Sequence, residues 1–461
     1  MLTSMRVANF KAWRDTGQIR LAPLTVIFGA NSAGKSSLGH LLLALKQTAL
    51  SSDRRGALQL GDTATLIDLG TFTDCLYNHD TTRALRLALT WSLPTGLEVR
   101  NPLQRGTLYA GDRLSLDATI GANAQGQPET QRLTYKLAAQ GRPVLSVLHE
   151  KRDGKWQMDS DEYQFVPTEG RKWPLEGPEK FYRFSEVTQA RFKNAGFLSD
   201  FALATEGVLR ELSYLGPLRE HPKRTYQWAG DAPEDVGQKG EFAVAAILAA
   251  QAQGRSLNRG HRKRLRGFAD FVAAWLADMG VISQFTVKPV AEGRKEYEVL
   301  LKTYPAAPEV KITDVGFGVS QVLPALVQAF YSPPNSVVWM EQPEIHLHPS
   351  VQSTLADVFV SAIQSYEGGE PRNVQLIVES HSEHFLNRLQ RRVAEGVLAP
   401  EDVAIYFCNK RASGQAELEP LRLNLFGEIE NWPENFFGDE MEDLTARTVA
   451  AMKRRATEAV A

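Results

Sequence analysis

The chain has 461 residues, 43% of them hydrophobic and 23% charged, and a formal net charge of -2. This length buries one large core or two ordinary ones, and the charge balance excludes whole-molecule attraction to nucleic acid while leaving a local basic patch open. Two cysteines, Cys75 and Cys408, have no spacing for a metal site or a disulfide framework, which fits a reducing compartment.

In chain order, the opening MLTSMRVANFKAWRD lacks the apolar core of a secretion signal. Next, 23 to 45, PLTVIFGANSAGKSSLGHLLLAL, reads as a buried strand, a Gly-rich loop and a helix with Leu38, Leu41, Leu42 and Leu45 on one face. From about 83 to 165 short alternating runs such as RALRLALTWSL predict an antiparallel β region. From 236 to 283 the pattern turns helical, and 285 to 303 reads as a hairpin. The apolar run FAVAAILAA at 242 to 250 is far too short to span a bilayer, so a cytoplasmic protein with no membrane partner is expected. Strands and helices then alternate: SVVWM, an amphipathic helix from SVQSTLADVFVSAIQSY, VQLIVES, a helix from SEHFLNRLQRRVAEG, and VAIYFCNK as a last strand.

This pattern divides the chain into 1–82, 83–235, 236–303, 304–420 and a tail, 421–461. Alternation at both ends around a different middle predicts a split α/β layer whose halves meet in space.

Gly29-Ala30-Asn31-Ser32-Ala33-Gly34-Lys35-Ser36 matches the P-loop pattern G-x-x-x-x-G-K-[ST], and Ser37 follows it. Glycines let the loop turn its N–H groups onto phosphate oxygens, and the helix that follows aims its positive end at them. Lys35 supplies a point charge for the β and γ phosphates of ATP, and the Ser36 hydroxyl a ligand for Mg²⁺. A P-loop enzyme also needs a second strand ending in an acid that holds the metal. Glu341, after VVWM, is placed for that.

EQPEIHLHP, followed by VESHSEHFLNRL, resembles the ABC-type ATPase heads of the OLD and SMC-like group. The resemblance implies an α/β P-loop NTPase fold of ABC-ATPase type, a split head with β-rich antiparallel and helical insertions. Such heads usually end this strand in two acids, one for metal and one that polarises the attacking water. Here the second position is Gln342. Glutamine cannot accept a proton but can orient water through its carbonyl, and Glu344 is the alternative base. Slow hydrolysis and ATP clamping with negligible turnover are therefore two open outcomes.

ABC heads pair head to head, a glycine loop of one closing over the nucleotide of the other. Asp314-Val-Gly316-Phe-Gly318-Val-Ser320-Gln321 resembles the GFGVSQ version of that loop rather than the transporter LSGGQ, and His381 resembles the switch histidine. His346 and His348 invite a metal reading, but HLHP is the usual continuation in this group and no cysteine or acid cluster completes a site. YLGPLREHPKRTYQW and the tail LNLFGEIENWPENFFGDEMED resemble a subgroup with a short C-terminal domain of uncharacterised role. Relatives include ATPase subunits of the Septu and PARIS anti-phage systems. The resemblance thus implies a homodimer or larger ring and a separately encoded effector, a nuclease of TOPRIM or HNH type. A DNA-repair ATPase of SMC-like type is the alternative. Arg219, Arg224 and the run RSLNRGHRKRLR at 255 to 266 offer contacts to DNA phosphates or, equally, a solvated face and head-interface contacts.

Overall fold

The computed structural model describes residues 1–102, 108–170, 173–260, 263–316, 318–411, 414–433, 436, 445–452 and 454. Strand β1 (Leu2–Phe10) leads to β2 (Leu24–Gly29), the P-loop and helix α1 (Lys35–Leu50). Five strands follow: β3 (Leu85–Arg100), β4 (Leu108–Ala122), β5 (Pro128–Ala139), β6 (Arg142–Arg152) and β7 (Lys155–Asp159). Helix α2 (Phe197–Arg210) runs into β8 (Leu212–Leu215), and helices α3 (Ala243–Ala252) and α4 (Phe268–Asp278) precede the hairpin of β9 (Gln284–Pro289) and β10 (Glu296–Lys302). The last part contains α5 (Gly318–Tyr331), β11 (Val337–Glu341), α6 (Pro349–Ile363), β12 (Gln375–Glu379), α7 (Glu383–Ala394), β13 (Val403–Lys410) and β14 (Ala416–Leu421).

The central sheet has the order β8-β11-β12-β2-β13-β14. Its strands run parallel except for β14, which pairs antiparallel with β13. The N-terminal strand β2 is thus inserted between two strands from the far end of the chain, and the two halves do meet in space. Both faces are buried, as a parallel sheet requires. Ile27, Trp339, Ile377 and Tyr406 face one core, which holds α1 and the antiparallel strands. Val26, Phe28, Met340, Val378 and Phe407 face the other, which holds α3 to α7.

Two expectations change. The β-rich segment after residue 82 is not set apart from the N-terminal part: β1 pairs with β3, and the eight-stranded antiparallel sheet draws on both. β1 pairs with β3 from Leu2 to Ala8, and side-chain alternation in β1 fixes a face without naming that partner. Nor is 403–410 the final strand. β14 follows it, and Phe436 then packs edge-on against Phe28 and Phe407, closing that face over the P-loop strand. Of the tail, 434–435, 437–444, 453 and 455–461 lie outside the described residues.

Candidate functional site

Parallel register sets the site. Glu341 is the Cα partner of Glu379, Glu379 of Ile27, and Cys408 of Gly29, so the carboxyl ends of β11, β12, β2 and β13 form one edge. Ligands of open α/β sheets bind at that edge. Gly29 leaves β2 at φ 143°, and a Cβ there would lie 2.0 Å from the Cys408 carbonyl oxygen, so glycine is obligatory. Gly34, at φ 106°, caps α1 without any side-chain hydrogen bond to the first turn. Asn31 and Ser32 are exposed while Ala33 is buried. The Lys35 ammonium donates to the carbonyls of Gly29 and Ala30, each at 2.9 Å. Burial holds its pKa below the usual lysine range. Ser37 donates to the Gly34 carbonyl and accepts from Trp13 Nε1 at 2.9 Å, which ties the loop to the small strand beside β1.

The Ser36 hydroxyl donates to Glu379 Oε2 at 2.8 Å, and Trp339 Nε1 donates to Oε1 at 3.0 Å. Glu341 Oε1 accepts from the Tyr214 hydroxyl at 2.7 Å and lies 3.4 Å from His40 Nε2. Burial, and then the charge of Glu341, pushes the Glu379 carboxyl well above the usual carboxylate range. Two acids so placed are disfavoured as a pair of anions, and a divalent cation beside Ser36 would relieve them. Glu379, Tyr214 and His40 escaped the sequence reading. The only signal for Glu379 was an acid ending a strand, VES, in the same way as VVWME.

Gln342 takes φ 44° and donates its main-chain N–H to the Glu379 carbonyl at 2.9 Å. Glu344 is buried; its Oε1 accepts from Ser380 Oγ at 2.9 Å and from the His381 N–H at 2.6 Å. Burial raises its pKa, while its Oε2 has no partner in the protein. His381 is half-buried with Nε2 unpartnered, and burial, then Lys35, lowers its pKa to about 4, which keeps the ring neutral.

In the glycine loop Gly316 is exposed, Gly318 half-buried at the first residue of α5, and Ser320 7% exposed. Phe317 lies outside the described residues. A Cβ on Gly316 or Gly318 would meet nothing within 4 Å, so the chain's own packing does not demand glycine there. Asp314 is bound by Arg224 at 3.0 Å, which links the loop to the segment after β8.

Among its described residues the basic run is not helical and divides in two: Lys263 and Arg264 are exposed, whereas its first residues are engaged in the fold. Its start forms a strand from Ser256 to Asn258; Arg255 binds Glu367 and stacks on Phe268 and Tyr331, and Arg259 lies over Trp275. Residues 261–262 of that run lie outside the described residues. Arg219 is buried, which removes it from any surface contact with DNA. His348 caps α6 through Ser350, and among the described residues no cluster of three or more His, Cys, Asp or Glu side chains suits a metal ion. No helix among the described residues is long and apolar enough to cross a membrane.

Residues 195–387 match the family described as "AAA domain, putative AbiEii toxin, Type IV TA system", and residues 398–446 match a family described only as of unknown function. The first match spans β8, β11, β12, the glycine loop and His381, and the P-loop joins these through the sheet. No curated protein sequence matches the chain. Solved structures similar to it include an SMC head bound to the C-winged helix domain of ScpA, 13% identical with a TM-score of 0.42 over 92% of this chain and 98% of that one. The SMC head domain from Thermotoga maritima is 9% identical, with a TM-score of 0.38 over 91% and 99%. A Pyrococcus furiosus Smc head with an extended coiled coil, bound to the C-terminal domain of ScpA, is 11% identical, with a TM-score of 0.40 over 92% and 96%. Strand order, the P-loop and the family match together give a P-loop NTPase fold of ABC-ATPase type.

Proposed function

We propose that the chain binds Mg-ATP at the P-loop, hydrolyses it slowly between two copies, and uses the cycle to control a protein effector. One observation carries the reading: the Ser36 hydroxyl of the P-loop helix donates to Glu379, whose partner on the adjacent strand at the carboxyl edge of the sheet is Glu341. Ser36 and Glu341 would hold the Mg²⁺, which would supply charge neutralisation at the terminal phosphates. Lys35, freed from two loop carbonyls, would take up the terminal phosphates. Glu344 is favoured over Gln342 as acceptor of the water's proton, because it is a carboxylate with one oxygen fixed by Ser380 and His381 and the other without a partner. Gln342 orients the water. Two glycines that this chain's packing does not require, at the N-terminus of α5, suit close approach to a twin's γ-phosphate.

The match to a family described as a putative AbiEii toxin of a Type IV TA system supports a defence role. Resemblance to Septu and PARIS subunits supports a separately encoded nuclease of TOPRIM or HNH type as the effector, acting in the cytoplasm. DNA then enters through that partner.

Phosphate release from wild type, Lys35→Ala, Gln342→Ala and Glu344→Gln tests the reading. Turnover is expected in wild type, to fall on the order of a hundredfold or more in Glu344→Gln, and to vanish in Lys35→Ala. Wild type that binds ATP with no release at all would favour the clamping scaffold. Absence of nucleotide binding would end the proposal.

A further inference from the structure

Arg219 sits in the loop that leaves β8 and is 9% exposed. Its Nη2 donates to the Glu341 main-chain carbonyl at 3.4 Å, but Nε and Nη1 are shielded from solvent and have no partner in the protein. The loop does not drift there. Gly216 N–H is fixed to the Gln238 carbonyl and Glu220 N–H to the Lys239 carbonyl, both at 2.8 Å, on either side of the arginine. Leu218, its neighbour, points out at 74% exposure, so the fold spends the inward position on the cation rather than on the leucine.

An unpaired buried guanidinium is costly, and the other arginine buried among the described residues is paired. Arg372, wholly buried, lies 3.3 Å from Glu367 and donates to Ser365 Oγ at 3.2 Å. The charges of Glu344 and Glu341 act on Arg219, but neither carboxylate hydrogen-bonds its guanidinium: Glu341 Oε1 is taken by Tyr214, and Glu344 Oε1 by Ser380 and His381. Glu344 Oε2 and His381 Nε2 are likewise buried without partners. Unsatisfied donors and acceptors thus gather at the end of β11, with Lys35 on the P-loop side and Arg219 on the β8 side.

We propose that Arg219 binds the terminal phosphate of the nucleotide from within the same chain. A planar fork of N–H donors matches two phosphate oxygens, and Nε and Nη1 of this buried cation have no acceptor within the protein. The site then reads ATP against ADP, with Lys35 holding what both nucleotides share. This rests on nucleotide binding at the P-loop, the reading given above.

Titrations of the full chain with Mg-ATP and Mg-ADP, in wild type, Lys35→Ala, Arg219→Met and Arg219→Lys, decide it. Arg219→Met is expected to weaken ATP on the order of tenfold to a hundredfold and ADP less than about threefold. Its melting temperature without nucleotide should stay level or rise, because a buried unpaired charge is replaced by an apolar chain of similar length. Arg219→Lys keeps the charge without the fork, and should lose about severalfold for ATP alone. Equal losses for both nucleotides with a lower melting temperature would make Arg219 a structural residue and overturn the inference. So would an unchanged ATP-to-ADP ratio in both Arg219 variants. If wild type binds neither nucleotide, the functional reading fails first and this falls with it. If wild type binds ATP, Lys35→Ala does not, and Arg219 variants match wild type, this inference alone is lost.

Discussion

Ser36 Oγ donates to Glu379 Oε2 at 2.8 Å, a bond between residues 343 positions apart that fixes the P-loop helix to the strand beside it. Glu379 is fully buried beside Glu341, and its raised pKa means that folding at neutral pH works against its ionisation. Glu379→Gln keeps one acceptor oxygen, for Trp339 Nε1, places an NH₂ group that can donate to the Ser36 hydroxyl, and removes that conflict. The variant should melt a few degrees higher without nucleotide and need roughly tenfold more Mg²⁺ to bind ATP, estimates from the linkage between charge, stability and binding. Thermal melting and Mg²⁺ titration check this; a lower melting point with unchanged Mg²⁺ demand would contradict it.

His149 gives a pH dependence. It is fully buried between Phe184, stacked at 5.7 Å, and Trp156, and burial lowers its pKa to about 4 from the ordinary histidine value of 6.5. The unfolded chain binds the proton first as pH falls. The stabilisation is therefore complete above about 6.5 and is lost progressively toward about 4, by about 3 kcal/mol. Urea midpoints at pH 7.5 and 5 should show the loss, and His149→Phe should remove most of the difference. Equal pH sensitivity in the variant would refute the assignment.

Gly39 lies where α1 crosses β11: a Cβ there would sit 2.5 Å from the Trp339 indole, the same ring that holds Glu379. Gly39→Ala should cost about 1–3 kcal/mol through overpacking and weaken ATP binding by displacing that ring. Denaturant titration beside nucleotide titration measures both. A stable variant with intact binding would show that α1 can move freely over the sheet.

Gly318→Leu probes the lip. Nothing stands within 4 Å of the added Cβ, so the single chain should keep its melting temperature within about a degree. ATP-driven association should be lost. Normal association in this variant would remove the glycine loop from the interface.

The P-loop was legible because eight adjacent residues carry both the turn and the chemistry. Strand β11, with Glu341, was legible because four apolar residues run straight into an acid. Glu379 and Tyr214 were not, since each reaches the site only through strand order: β12 lies between β2 and β11, and β8 lies beyond β11. Arg219 stood out only as a DNA or interface cation, and nothing in the pattern marks His40, one turn after Ser36 on α1, as a neighbour of Glu341. Nothing local in VES or YLGPLR states that neighbourhood. The joining of β1 to β3 was hidden for the same reason, because side-chain alternation gives a face but not a partner. Arg255 looked like part of a basic surface, yet its stem is covered by Phe268 and Tyr331 and its charge met by Glu367.

The central claim is that two copies hold ATP between them, and the most direct test is the solution mass of the Glu344→Gln chain with and without Mg-ATP. One chain weighs 51.2 kDa. The account predicts a shift to twice that mass on adding ATP, reversed when the nucleotide is removed and absent in the same chain carrying Lys35→Ala. ATP bound at the P-loop with the mass unmoved at one chain would contradict it.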